Sequence, residues 1–449
     1  MKVKSLTYLN PYLFSFILFG YGYVGLLVTD SSQSQQLTIP YRLSVLCIAS
    51  TILLARSVFA SKESKLVKIK IEKDSKMASR LNNTSALNKK FSKILILIFI
   101  AIYSIKFFFD VYGSSLFYGS YVYYLSFWFL ICLLPGTTFS LIDWSKPWIY
   151  LLSSQVTLAG LSLLMLSRIS TLQNSSFIAH GRFAGAALNP ILLGAFSGLS
   201  ILISVYALLS SKLLLRSGVK KKQYRFVSVS CILSLPISSY FLIASASRGP
   251  MLSTLLCLAI LLLCYANKRP LYTIISSALG LFLVLEIILP FIQAKGLISL
   301  ERLWYFNENY EGSRVDLLNR SVELFLANDY NFFVGYGVEI PNYGYPHNVI
   351  VESFVSTGFF GGCLFTLICI ITLAQSMRLL VYFKLWGWIG LLFIFNFLLA
   401  LISGSLYGSY FFWYLLFAVN GLCTRLSVSN SLLHKMRDTQ KVKLPPLQT

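Results

Sequence analysis

The sequence predicts an all-α polytopic membrane protein with about twelve transmembrane helices and one large extracytoplasmic loop. Three observations predict it. Of 449 residues, 56% are hydrophobic and only 12% charged, and mean hydropathy is +0.70, more apolar surface than a water-soluble chain could cover. The apolar residues fall in runs long enough to cross about 30 Å of hydrocarbon as helices. Alternation at period two, the mark of a membrane β-barrel, is absent.

Helices are expected over residues 11–28, 42–60, 92–109, 117–135, 148–166, 188–209, 225–243, 251–266, 271–290, 349–375, 387–405 and 408–425. The first run lacks a small-residue cleavage site and is expected to stay as a span. An even count puts both termini on one side, and charge says which. The loop from Ser61 to Lys93 holds ten basic residues against three acids. Lys212, Arg216, Lys220, Lys221, Lys222 and Arg225 follow in the loop 211–225, and Lys268, Arg269, His434, Lys435 and Arg437 fall on the same side. That side is the cytoplasm by the positive-inside bias. The formal charge of +22 is thus spread over short loops and does not indicate a nucleic-acid partner.

The domain division that follows has residues 1–290 as nine helices with the basic cytoplasmic loop 61–93. Residues 291–348 form an extracytoplasmic loop, 349–425 the last three helices, and 426–449 a cytoplasmic tail. The loop 291–348 is too short for an ordinary domain and is expected to cap the bundle, with short helices around Ser313–Ala327. No 20–50-residue period repeats, which argues against a solenoid. Cys47, Cys132, Cys231, Cys257, Cys264, Cys363, Cys369 and Cys423 are scattered without metal-ligand spacing and read as small buried hydrophobes.

The same count gathers His180, Arg182, Arg248, Arg302, Arg314, Arg320 and His347 on the outer side. Arg248 ends one apolar run, and Gly249-Pro250 opens the next. It is either a snorkelling headgroup contact or an arginine held between helices for phosphate, which guanidinium grips in a planar fork. Arg182 precedes Asn189-Pro190, a helix start with Asn as N-cap and Pro at the first position. His347 sits in Pro346-His347-Asn348 one residue before an apolar run, suited to capping, to proton transfer or to a sugar hydroxyl. Glu352 follows inside the helix start, either paired with an arginine or placed as a base. Arg302 and Arg314 are its candidate partners.

There is no Walker loop, no His-Glu-x-x-His and no Asp-x-Asp motif, so neither nucleotide hydrolysis nor a metal or other cofactor is expected.

These residues resemble the O-antigen polymerase and ligase superfamily, the Wzy-type and WaaL-type proteins of bacterial surface polysaccharide assembly. Arg248-Gly-Pro-Met-Leu252 matches the ligases' R-x-x-x-L, and His347 to Gly358 matches H-x(10)-G. Arg182 with Gly185, Asn189 and Pro190 is similar to the family's Arg-x-x-Gly…Asn-Pro segment. The resemblance implies a GT-C-like integral membrane glycosyltransferase in the bacterial cytoplasmic (inner) membrane, its site facing the periplasm or cell exterior. Its substrate would be an undecaprenyl-diphosphate-linked oligosaccharide, with membrane lipid around it and a chain-length regulator as a further partner. Catalytic roles would fall to His347, Glu352, Arg248 and Arg314, and substrate binding to Arg182, Arg302 and Asn348. Polymerisation of O-antigen or capsule is favoured by the modest, Tyr- and Asn-rich outer loop. Ligation to lipid A-core in lipopolysaccharide is the alternative, and a lipid-linked oligosaccharide flippase is the reading from another class. A transporter would place ionisable residues near the midplane on broken helices, whereas these cluster at the outer boundary.

Overall fold

The computed structural model describes residues 9–28, 31–59, 85–113, 121–142, 146–173, 183–185, 188–265, 308–340 and 344–441. Its main helices are α1 (Pro11–Leu27), α2 (Ser31–Phe59), α3 (Ser85–Gly113), α4 (Tyr124–Phe139), α5 (Pro147–Ser167), α6 (Pro190–Leu209), α7 (Lys221–Ala244) and α8 (Arg248–Tyr265). After the undescribed stretch come α9 (Glu308–Leu326), α10 (Asp329–Val334), α11 (Val349–Tyr382), α12 (Gly387–Ser403) and α13 (Tyr410–Lys441). Among the described residues the only extended pairings are the isolated bridges Leu9–Ile142 and Ile340–Gly344.

Every predicted interval contains helix except 271–290, which lies outside the described residues. Seven helices are long and apolar enough to cross a membrane, namely α2, α3, α5, α6, α7, α8 and α11. Helices α1, α4 and α12 are apolar but shorter. The helix expected near Ser313–Ala327 is α9, which packs on α11. Large apolar side chains stand exposed on outward faces, among them Leu54, Leu97, Phe109, Phe226 and Ile232. Lipid is the solvent that tolerates such faces.

Local chemistry fixes the helix starts. Asn10 and Asn189 each precede a proline and accept the N–H of Leu13 at 2.9 Å and of Leu192 at 2.8 Å. Within α4, residues 127–133 wind as a π-helix just before Pro135. Proline has no N–H to offer the carbonyl four residues back, and the Tyr414 hydroxyl donates to that Ile131 carbonyl instead.

Helix α6 is buried along most of its length against α5, α7 and α8. Hydroxyls join three of these helices. Ser238 bonds Ser162 at 2.8 Å and Ser200 at 2.9 Å, while Ser204 bonds Ser234 at 3.1 Å and Gln155 at 3.2 Å. Small polar residues let membrane helices approach closely and satisfy one another where water is absent. Elsewhere in the same core, α3, α4, α11 and α13 join through aromatic rings, with Phe99 4.7 Å from Phe365 and Trp128 5.3 Å from Trp413 and 4.9 Å from Tyr103. Cys132, Cys231, Cys257 and Cys369 are buried as expected, but Cys47 and Cys363 lie on exposed helix faces.

Candidate active site

Two short connections carry the site. Residues 245–247 link α7 to α8, and residues 335–348 lead into α11. Among the described residues, the non-glycine positions with left-handed backbone are Ala246 (φ 44°) and His347 (φ 58°), one in each connection. Such backbone costs on the order of 1–3 kcal/mol and persists where its surroundings hold it, most often at functional sites.

His347 is half-buried, with its Nδ1 shielded from solvent. The Tyr345 ring meets the imidazole edge-on at 4.3 Å, and Tyr345 in turn lies 6.2 Å from Tyr407. Asn348 caps α11, its side-chain oxygen accepting from Ile350 at 3.0 Å and Val351 at 3.1 Å.

The spacing from His347 to Gly358 has a structural reason. Gly358 (φ 71°, ψ −174°) interrupts α11, so the carbonyls before it lose their helical donors. The Val355 carbonyl accepts from Tyr336 at 2.7 Å and Gly337 at 3.3 Å instead. Gly335 (φ 94°) lies directly against the interruption, backbone on backbone. A Cβ on Gly335 would sit 2.8 Å from the Gly358 nitrogen, and one on Gly358 would be 2.8 Å from the Val334 nitrogen and closer still to the Phe333 carbonyl. Only glycine fits either position. The chain therefore leaves the crossing at 335, presents His347, and returns at 358.

Glu352 is completely buried one turn into α11. Its Oε2 accepts the backbone N–H of Leu406 at 2.8 Å, and its Oε1 accepts the Tyr103 hydroxyl at 3.5 Å. The Leu406 carbonyl accepts from the Trp413 indole at 2.7 Å, so buried side chains hold both backbone groups of this residue. Glu352 thereby pins the turn 404–409 between α12 and α13. Beside it, Glu339 accepts the Tyr407 hydroxyl at 3.1 Å. Burial raises the Glu339 carboxyl above the usual glutamate range, opposed by that hydrogen bond.

The turn and His347 border a cavity of about 640 Å³. Tyr345 and His347 form one side, Asn189 and Leu192 at the start of α6 another, and Leu399, Ala400, Ser403 and Gly404 with Gly408–Phe412 and Tyr414 a third. The remaining wall is Tyr21 of α1, Tyr41 and Arg42 of α2, and Phe127 and Ile131 of α4. Arg248, half-buried, starts α8 behind this enclosure. A Cβ on its neighbour Gly249 would lie 3.2 Å from Ile402 and 3.7 Å from Leu399, which faces the cavity. Pro250 packs against Gly194 of α6. The two motifs thus meet at one end of the bundle, the end that charge counting assigns to the outside.

Other sequence candidates fall elsewhere. His180, Arg182 and Arg302 lie outside the described residues, although the adjacent Phe183 donates to the Ala244 carbonyl at 3.0 Å, at the end of α7. Position 314 lies in α9, with its side chain outside the described set. Arg42 was missed. Its signal was a guanidinium at the edge of an apolar run, where a positive charge is also ordinary. Among the described residues no group of His, Cys, Asp and Glu converges so as to hold a metal ion.

Residues 231–366, which span both motifs, match the family model described as O-Antigen ligase. Over that stretch the sequence is similar to the O-antigen polymerase and ligase superfamily. No curated protein matches the chain. The long apolar helices fit a multi-pass membrane protein, and the match supports function of polymerase or ligase type without distinguishing the two.

Proposed function

We propose that this protein polymerises a bacterial surface polysaccharide, O-antigen or capsule, at the outer face of the cytoplasmic membrane. The observation that carries the reading is His347, set on left-handed backbone at the cavity's edge, with the helix that Arg248 starts packed through Gly249 behind Leu399 of the cavity wall. The donor is a glycan on undecaprenyl diphosphate, and the acceptor is the hydroxyl of another lipid-linked repeat unit. The hydroxyl oxygen attacks the anomeric carbon as the bond from that carbon to the diphosphate oxygen breaks. The diphosphate leaves with the electron pair, and the hydroxyl proton passes to His347. Arg248 and Arg314 stabilise the charge of the leaving group, with Arg182 or Arg302 assisting. No divalent ion is needed where guanidinium groups do this work.

Glu352 acts through the turn it holds rather than on the sugar. Asn348 commits its side-chain oxygen to the cap, so a substrate contact would come through its amide nitrogen. The loop 291–348 receives the acceptor, residues 1–290 and 349–425 supply twelve spans, and 426–449 remain cytoplasmic. A chain-length regulator would be the natural protein partner.

The test is purified protein in detergent with a lipid-linked repeat unit. Chain growth there, without a membrane gradient, separates an enzyme from a flippase. His347→Ala and Arg248→Ala, inserted normally, should end polymer formation, and wild-type chain lengths in both would remove the proposed roles. In cells, variants that accumulate single repeat units indicate polymerase. Accumulated finished polymer on its lipid carrier indicates ligase, with lipid A-core as acceptor.

A further inference from the structure

The stretch that carries His347 has a tether on α3. Asp110, in the last turn of α3, pairs with Lys106 one turn earlier, Oδ1 to Nζ at 3.1 Å, and both side chains are largely buried. Its Oδ2 accepts the backbone N–H of Val338 at 3.1 Å. A Cβ on Gly337 would lie 3.5 Å from the same oxygen, so the carboxylate sits close against this backbone. Lys106 in turn stands 5.9 Å from the centre of the Tyr330 ring of α10.

The needs of α3 do not explain a carboxylate there. An acid in the last turn faces the negative end of the helix dipole, and aspartate is a poor helix former. For a pair four residues apart, the acid is better placed first, and here it comes second. Charge at the end of an apolar span asks for a reason, and the Val338 N–H supplies one.

What the tether does follows from where Val338 sits. Gly335 crosses α11 at Gly358, and Tyr336 and Gly337 donate to the Val355 carbonyl of α11. Val338 comes next, itself buried, and then Glu339, which accepts the Tyr407 hydroxyl from the turn between α12 and α13. Ile340 and Gly344 exchange backbone hydrogen bonds at 2.6 and 3.0 Å, and Tyr345, Pro346 and His347 follow directly. Thus α11, the turn 404–409 and α3 all grip the chain just before the histidine. The left-handed backbone of His347 (φ 58°) needs such a grip to persist.

We propose that Asp110, paired with Lys106, is a positioning residue that sets His347 at the cavity through the Val338 N–H. The inference rests on the reading that His347 acts in chain growth. Asp110 acts through the backbone and not on the sugar.

Two substitutions separate this role from that of a stabilising ion pair. Asp110→Asn keeps an oxygen of the same reach for Val338 but gives up the charge. Asp110→Glu keeps the charge for Lys106 but is longer by a methylene, which pushes the 337–338 backbone away. Both are made in the full chain and purified in detergent. Each is assayed for chain growth from a lipid-linked repeat unit, for thermal midpoint, and for carbethoxylation of His347 by diethyl pyrocarbonate, with His434 as internal reference. Asp110→Glu should cut kcat roughly tenfold to hundredfold with KM unchanged, the scale of a reacting group displaced by about 1 Å. It should also change the His347 labelling rate several-fold and leave His434 unaffected. Asp110→Asn should keep most of kcat and the wild-type labelling rate while melting lower. An asparagine variant with kcat at or below that of the glutamate variant makes the pair a structural prop and overturns the proposal. If His347→Ala ends chain growth while Asp110→Glu keeps wild-type kcat and labelling, the polymerase reading stands and this inference falls. If Asp110→Glu alters His347 labelling but wild type shows no chain growth, the polymerase reading falls and the positioning stands.

Discussion

Glu352 offers a sharp division between two kinds of carboxylate. A general base must be ionised and reach the substrate, and its loss costs on the order of 10²–10⁴-fold in rate. A carboxylate that only holds backbone can be replaced by its amide. Glu352→Gln keeps an oxygen for the Leu406 N–H at 2.8 Å and turns its nitrogen toward Tyr103, where the existing contact is a long 3.5 Å. Glu352→Ala leaves the Leu406 N–H buried and unbonded, a penalty of about 1–3 kcal/mol, or roughly 5- to 150-fold if it all appears at the turn lining the cavity. The assay is polymer synthesis from a lipid-linked repeat unit, beside thermal unfolding of the same detergent samples. The expected order is wild type near Glu352→Gln, both well above Glu352→Ala, with the alanine variant also melting lower. A glutamine variant that melts like wild type yet is as inactive as the alanine variant would refute the reasoning and make Glu352 the base.

The remaining predictions use the same preparations. Gly358→Ala should lose at least the roughly 1–2 kcal/mol of left-handed backbone, and more because the Phe333 carbonyl must move, seen as a lowered thermal midpoint. His347→Asn should keep the thermal midpoint, since asparagine tolerates the left-handed region, while ending polymer synthesis; retained synthesis would exclude proton transfer by His347. Ala246→Gly should raise stability by about 1 kcal/mol without loss of insertion, by relieving the turn before Arg248. Burial raises the Glu339 carboxyl, so its folded form favours the proton. Its contribution to stability is complete below the ordinary value of about 4.3 and is lost as pH rises through the higher folded value. Glu339→Gln should flatten that part of the melting-temperature profile.

The helices were legible because lipid demands long apolar runs, and each described run became helix. Asn189-Pro190 announced its own cap. His347 and Arg248 were legible as polar residues at apolar borders, and Gly358 as a motif position. Its purpose was not legible, because it depends on Gly335 crossing it. The partners of Glu352 were equally hidden: Tyr103 and Leu406 are far off in sequence, and nothing local marks either as a buried donor. Arg42 looked like one more border charge until the fold set it beside Phe127 in the wall of the cavity that His347 also lines.

The contact between Gly335 and Gly358 has a bearing on how such proteins diversify. It ties off the histidine-bearing stretch as a small ring whose two ends are locked without a covalent link. Changes in length or sequence upstream, where a new sugar would have to be accommodated, stop at that knot and leave the imidazole where it was. Under the proposed function, one polysaccharide repeat could thus be exchanged for another while the proposed reacting centre stays in place.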